Sequence, residues 1–245
     1  MLTRRALLLT ALLACVPCVL HAAETPLRIH IISGSNEYKS EASLKPFAAE
    51  LAKKYHVSIT ASWVKDGATD LPEVERIKDA DVLLAFTRRM KLPADQLAIV
   101  KAHWEAGKPI VGIRTASHAF DNETNKVFDR EVLGGDHQSH YANEPVTVTI
   151  DPAAKDHPVL QGTTEFTSRK LYKTGMLARG VTVLEYGDIG KGKQAVTWIH
   201  EYKGGRVFYT SLGVPEDFEH EHFRRMLTNA IFWTTKREVE KMKKS

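Results

Sequence analysis

Cysteine is nearly absent from this 245-residue chain, and its two copies, Cys15 and Cys18, both lie close to the N-terminus. They sit in a segment that reads as an export signal: MLTRR is a short basic start, ALLLTALLACVPCVL an apolar run, and HAAET offers small residues for cleavage. A bilayer-spanning helix needs roughly 20 apolar residues, and Pro17 interrupts this shorter run. Cleavage near Ala22 or Ala23 leaves a mature chain without cysteine. That excludes disulfides, which a domain able to bury its own core can do without. It also excludes every mechanism built on a thiolate nucleophile. The expected destination is the periplasm or another extracytoplasmic face. Thr3-Arg4-Arg5-Ala6-Leu7-Leu8 also resembles a twin-arginine signal. Leu12-Leu13-Ala14-Cys15 resembles a lipobox that would leave Cys15 lipidated, although Leu13 is unusual at its place in that motif.

An excess of charge of one sign is lacking too. With Arg4 and Arg5 set aside, 32 basic residues face 30 acidic ones, a balance that gives no reason to expect a nucleic-acid partner. The basic tail KREVEKMKKS is explained as a solvated helix end, where cations suit the helix dipole. No repeat, low-complexity stretch or spanning apolar run follows residue 24. The expected organisation is a signal over 1–23 and one domain over 24–245.

What is present is an alternation. LRIHIIS (27–33), VSITASW (57–63), DVLLAFT (81–87) and KPIVGIR (108–114) are short, apolar or β-branched runs that read as buried strands. Between them lie helical patterns: 40–56 with Leu44, Phe47, Leu51 and Tyr55 on one face, a short segment over 71–80, and 92–107. The last begins at Pro93 and stops at Gly107. Strands alternating with helices mean βαβ units and a parallel sheet. The second half is richer in strands, over 145–151, 181–187, 194–202 and 205–212, with KGG at 203–205 as a hairpin signal. A final amphipathic helix is expected over 223–242. The predicted fold is α/β, a three-layer flavodoxin-like sandwich with a mostly parallel sheet and antiparallel additions in the C-terminal half.

In such sheets ligands bind where loops leave the carboxyl ends of the strands. That rule collects Ser35, Asn36 and Glu37 after the first strand, Arg88 after the third, Arg114 to His118 after the fourth, and Glu216 and Asp217 after the last. The polar insertion GGDHQSHYAN (134–143) joins them.

GIRTASHAF (112–120) has the form of a strand entering a tight turn ahead of a polar, helix-like stretch. In many α/β enzymes that elbow carries a nucleophile. Aligned with the amidotransferase pattern P-[IV]-x-G-[IV]-C-x-G-H-Q, Arg114 falls on the nucleophile, Ala116 on the second glycine and Ser117 on the histidine. In TSLGVPEDF, Val214 replaces the histidine of that superfamily's His-Pro-Glu, while Pro215 and Glu216 remain. Acyl transfer is therefore missing at both positions. An arginine at an elbow offers five donors to a carboxylate, a phosphate or the oxygens of a sugar. It could equally pair with Glu37 or Asp217 and brace the loops.

Neighbouring residues on a turn point in different directions, which argues against a Ser117–His118 nucleophile–base pair. His118 fits general acid/base work better. Asp136, His137 and His140 crowd one short stretch, and His137 or His140 could contact sugar or move protons. With His118 or Asp136 these histidines could instead hold zinc or another divalent ion. No cofactor is otherwise predicted, and no metal ligand is assigned. Tyr141 and Tyr172 join the candidate substrate-binding residues. His157 is expected to shape the turn before Pro158, His220 and His222 to be exposed, and the four tryptophans to serve the core rather than stack on sugar.

GIRTASHAF, LGGDHQSHYANEP, DHPVLQG with EFTSRKLYK, and GRVFYTSLGVPEDFEHEHFRRMLTNAIFW together resemble the ThuA-like family, named for the trehalose utilisation protein, within the class I glutamine amidotransferase-like superfamily. The resemblance spans residues 27 to 236 and departs from the family pattern at Val214, where members often have histidine after Gly213. It implies a role in sugar catabolism, on a small carbohydrate such as a keto-disaccharide. The expected activity is isomerisation, lyase or hydrolytic cleavage, with Arg114 orienting a substrate oxygen and His118, His137 and His140 supplying acid and base. The alternatives are a non-catalytic carbohydrate-binding module and a metal-dependent hydrolase.

Overall fold

The computed structural model describes residues 25–244. The expected export signal over 1–23 lies outside the described residues.

Strands β1 (Leu27–Gly34), β2 (Val57–Trp63), β3 (Val82–Thr87) and β4 (Ile110–Ile113) alternate with helices α1 (Ser40–Lys54) and α2 (Ala94–Glu105). A short helical stretch, α3 (Thr124–Val127), widens into a π turn over 128–132. The C-terminal half adds β5 (His137–His140), β6 (Pro145–Ile150), β7 (Phe166–Arg169), β8 (Tyr172–Thr174), β9 (Thr182–Asp188), β10 (Lys193–Tyr202) and β11 (Gly205–Thr210), then helix α4 (Glu221–Thr234).

Nine strands form one sheet in the order β2-β1-β3-β4-β11-β10-β9-β6-β7. The first five are parallel and the rest antiparallel. The alternating side chains of the parallel strands feed two cores. Ile29, Ile31, Leu84, Phe86, Val111 and Phe208 pack with α1 and α4. Ile32, Leu83, Ala85, Ile110 and Tyr209 pack with Val100 and Trp104 of α2 and with Phe128. Both faces are covered, which is why β3 reads as an unbroken apolar run. The three layers of the expected sandwich follow directly.

The turn chemistry matches the residues that make it. Lys203 (φ 49°) and Gly204 (φ 81°) close the β10–β11 hairpin with both central residues left-handed, the twist that suits a two-residue hairpin. Gly107 (φ 65°) ends α2 and donates its N–H to Trp104 O. His157 Nδ1 accepts from Val159 N beside Pro158, as expected.

Several boundaries differ from expectation. The 71–80 helix shrinks to a 3-10 stretch, Val74–Asp79, entered through a left-handed Glu73. α4 stops at Thr234 rather than 242, because the Thr234 and Thr235 hydroxyls bond the Ile231 carbonyl and Lys236 turns left-handed. The insertion expected as a loop over 134–143 contains β5, which pairs with β8 in a separate two-stranded ribbon. Trp104 and Trp198 are core residues; Trp63 and Trp233 are half-buried against it. His220 is exposed as expected, but His222 is buried. Its Nδ1 accepts from Thr164 N and its Nε2–H donates to Glu185 at 2.9 Å, so a polar residue on the inner face of α4 is satisfied rather than solvated.

Candidate functional site

The elbow is strained as its pattern requires. Gly112 packs so closely that an added Cβ would stand 3.0 Å from Leu133 and 3.1 Å from Tyr209. Two residues on, Arg114 has φ 46°, a left-handed backbone costing an L-residue about 1–2 kcal/mol. Its carbonyl accepts from Tyr209 Oη (2.7 Å) and Ser117 Oγ (3.2 Å), which hold the turn in place. Arg89 N and Met90 N, following β3, donate to His118 O and Ala119 O. The loops after β3 and β4 are thereby joined.

Arg114 itself departs from the role expected of it. Its side chain is fully enclosed, with 0% exposure. Nη1 donates to Ser211 O (2.6 Å), Nη2 to Lys170 O (3.0 Å), and the guanidinium lies between the rings of Tyr38 (4.1 Å) and Tyr172 (4.6 Å). Burial works against its charge, but the tyrosines and Asp217 outweigh that and hold its pKa above the ordinary value. With carbonyls on both terminal nitrogens and an aromatic ring on each side the guanidinium reaches no solvent, and its Nε is buried without a hydrogen-bond partner among the described residues. Arg114 braces the ends of β4, β11 and the β7–β8 turn, through carbonyls rather than through Glu37 or Asp217.

Asp217 is a second correction. Expected among the substrate-binding residues, it is completely buried. Its Oδ2 accepts from Gly213 N (2.7 Å), Ser168 Oγ (2.9 Å) and Val214 N (3.1 Å), so it shapes the loop after β11. Burial pushes its pKa up against those bonds. Val214, on the superfamily's histidine position, is buried in the core beside it.

Above this braced layer stand two imidazoles. The rings of His118 and His137 stack with centroids 4.7 Å apart and planes 25° from parallel. Tyr172 lies against both, 4.5 Å from His137 and 6.1 Å from His118. Two residues distant in sequence are thus brought into contact, the first from the elbow and the second from β5. Burial lowers the His118 pKa to about 3, helped by the charges of His137, Arg88, Arg89 and Arg114. Burial likewise lowers His137 to about 4, with His140 and Arg114 adding to it. Both rings are neutral at pH 7, so each keeps one unprotonated nitrogen. Ser117 Oγ lies 3.1 Å from His118 Nδ1. The 3-10 turn over 114–118 folds the serine back under the ring, so the two neighbours do meet, contrary to the expectation from adjacency. Ser117 is buried and also bonded to Arg114 O, which makes it a support for the imidazole.

The other candidate residues divide. Glu37 is exposed at the same edge, 3.6 Å from Arg88 and 4.0 Å from Lys170; Arg88 also pairs with Asp66 at 3.0 Å. Asn36 and Asp66 exchange side chain-to-backbone hydrogen bonds. Ser35 is buried and its Oγ has no hydrogen-bond partner among the described residues. His140 is exposed and bonds Tyr141 O, outside the His118–His137 stack, since successive residues of β5 face opposite ways. Asp136 pairs with Arg130, Lys173 lies over the Tyr141 ring, and Glu216 is exposed. Among the described residues no three His, Cys, Asp or Glu side chains converge as a metal site.

Residues not singled out in the sequence complete the arrangement. Tyr38 and Lys170 enclose Arg114. Asp129 Oδ2 accepts from His137 N at 2.8 Å, and burial raises its pKa to about 7. Tyr38 directly follows Glu37 in the loop that leaves β1; Lys170 and Asp129 carry no local signal, because only the packing of distant segments gives them their partners.

Two solved structures of similar fold are ThuA-like proteins. That of Bacteroides uniformis has a TM-score of 0.64 at 18% identity, over 87% of this chain and 93% of that one. That of Parabacteroides merdae has a TM-score of 0.65 at 13% identity, over 86% and 90%. A β-galactosidase from a Rahnella species aligns with a TM-score of 0.60 at 12% identity, over 87% of this chain but only 32% of the enzyme. These identities speak to the fold. Comparison with curated proteins gives no match. The profile of the ThuA family, described as trehalose utilisation, matches residues 28–234, so the chain belongs to that family.

Proposed function

We propose that this protein is an exported enzyme of carbohydrate catabolism that moves protons on a small sugar or keto-disaccharide, with His118 and His137 as the catalytic pair. The observation that carries this reading is the stacked pair of neutral imidazoles at the carboxyl edge of the sheet, above a rigid Tyr38–Arg114–Tyr172 layer. A neutral imidazole can take a proton from a sugar hydroxyl or from the carbon beside a keto group. In the second case the C–H pair forms the C=C bond of an enolate while the carbonyl π pair moves to the keto oxygen; the enolate then either takes the proton from the imidazolium at a neighbouring carbon, or collapses with cleavage of the β C–O bond, the imidazolium protonating the leaving oxygen. Arg88 stands near enough to depress His118 and supplies positive charge for the developing oxyanion. Glu37 and Lys170 offer hydrogen bonds to hydroxyls at the same edge. Arg114 acts as a positioning residue.

His118→Ala and His137→Ala are each expected to abolish turnover of a keto-disaccharide, followed by mass spectrometry, with the melting temperature nearly unchanged. Full activity in both variants would sink the assignment. A sugar that raises the melting temperature without product identifies a binding module instead, the reading that Val214 at the superfamily's histidine position favours. Loss of turnover with chelator, and metal in the natively exported protein, identifies a metal-dependent hydrolase.

A further inference from the structure

A recess lies beside the β1–α1 turn. A cavity of about 380 Å³ opens there, lined by Ser35, Lys39, Ser40, Glu41, Lys45 and Lys65 among others. Its size falls within the range of small-molecule clefts, roughly 300–1,000 Å³. It sits at the N-terminus of α1, a 15-residue helix whose first turn carries the partial positive charge of its unpaired N–H groups. Ser40 N is used by Ser35 O, and Ser43 N by Lys39 O. The N–H groups of Glu41 and Ala42 between them have no such acceptor among the described residues. The helix has no side-chain cap, because Lys39 occupies the cap position in a left-handed conformation.

Independent of the helix, Ser35 points to a ligand. It lines the cavity, is 1% exposed, and its Oγ has no partner among the described residues. A buried hydroxyl without a partner is costly and uncommon. Its neighbour Ser40 does not relieve it: Ser40 Oγ is taken by Ser33 Oγ and by Ser35 N. The charges agree. Lys45 is bound to Glu41 at 2.5 Å and lies over Trp63, but among the described residues Lys39 and Lys65 make no ion pair. Three ammonium groups and one carboxylate therefore border the recess.

We propose that this cavity binds the oxyanion of a small ligand, a phosphate, sulfate or carboxylate, held by Lys39 and Lys65, the first-turn N–H groups of α1 and the Ser35 hydroxyl. This assignment does not depend on the acid/base reading at His118 and His137. A helix N-terminus favours anions through its donors and its dipole, and each ammonium adds a charge-assisted hydrogen bond.

Isothermal titration of the protein with glucuronate, glucose 6-phosphate, inorganic phosphate and sulfate, against neutral glucose, tests it. At least one anion is expected to bind and glucose not to, with affinity falling as salt is raised. Which anion binds identifies the oxyanion. The double variant Lys39→Ala, Lys65→Ala is expected to weaken binding roughly tenfold or more, and Ser35→Ala by about fivefold. His118→Ala is expected to leave the anion affinity unchanged, which keeps this result distinct from a failure of the catalytic assignment. Ser35→Ala is nearly isosteric, so it reads out the site even where the double variant unfolds. Absence of binding by every anion, equal binding of glucose, or unchanged affinity in Ser35→Ala and the double variant each overturns the proposal.

Discussion

The parallel and antiparallel halves of the sheet solve the same packing problem differently. In β1, β3 and β4 nearly every residue is buried, because helices cover both faces. In β6 and β7 burial alternates with exposure, as expected of strands with one solvated face. The candidate site lies where the two meet. The parallel half contributes the elbow with Arg114, Ser117 and His118; the antiparallel half and its β5–β8 ribbon contribute His137, Lys170 and Tyr172. A rigid edge is thus completed by residues from segments with few local constraints.

Removing the brace between the halves should have the largest effect. Arg114→Ala leaves Ser211 O and Lys170 O without their donors and a void between Tyr38 and Tyr172. A loss of about 3 kcal/mol or more is expected in denaturant unfolding. Arg114→Lys should not restore it, since one ammonium cannot reproduce the planar fork. Stability close to that of the wild type in Arg114→Ala would mean that the halves do not depend on this contact.

His222→Ala probes the antiparallel half alone. It strips Glu185, which is 0% exposed, of its histidine partner and leaves Thr197 as its remaining side-chain donor. A destabilisation of about 3 kcal/mol is expected from a buried carboxylate so exposed to imbalance. An effect below that of a surface substitution would show that the Thr197–Thr210 hydroxyls suffice.

Acid should act on the buried histidines, those of the site and two in the parallel half alike. Burial lowers His30 and His103 to about 4 each, from an ordinary value near 6.5. Between pH 6.5 and 4 the unfolded chain therefore holds more protons, and stability falls as pH falls through that window, levelling off below about 4. The melting temperature followed from pH 7 to pH 4 should drop, and His30→Gln should flatten the curve. A flat wild-type profile would contradict neutral burial of these rings.

The smallest expected effect is at His140, exposed on β5. His140→Ala should change stability by less than about 0.5 kcal/mol and leave turnover intact. A loss as large as that of His137→Ala would return His140 to the catalytic group.

Much of the parallel half was legible because its signals are local. The apolar runs at 27–33 and 81–87, Gly107 after α2 and Lys203-Gly204 between β10 and β11 each act through their own φ, ψ and burial. The strands at 137–140, 166–169 and 172–174 were not, since HQSH, FTSR and YKT are short and polar, and their pairing partners lie elsewhere in the chain.

By itself the sequence determined the layer order, the lack of any thiol after residue 18 and the strained elbow with arginine in the nucleophile's place. Periodicity, composition and backbone preference operate within a few residues and survive any tertiary arrangement. Tertiary structure alone decided that Arg114 faces inward between two tyrosines, that Asp217 serves backbone donors, and that His118 meets His137. Those outcomes depend on desolvation and on which distant donors and acceptors are brought within about 3 Å of one another, and no spacing along the chain encodes that distance.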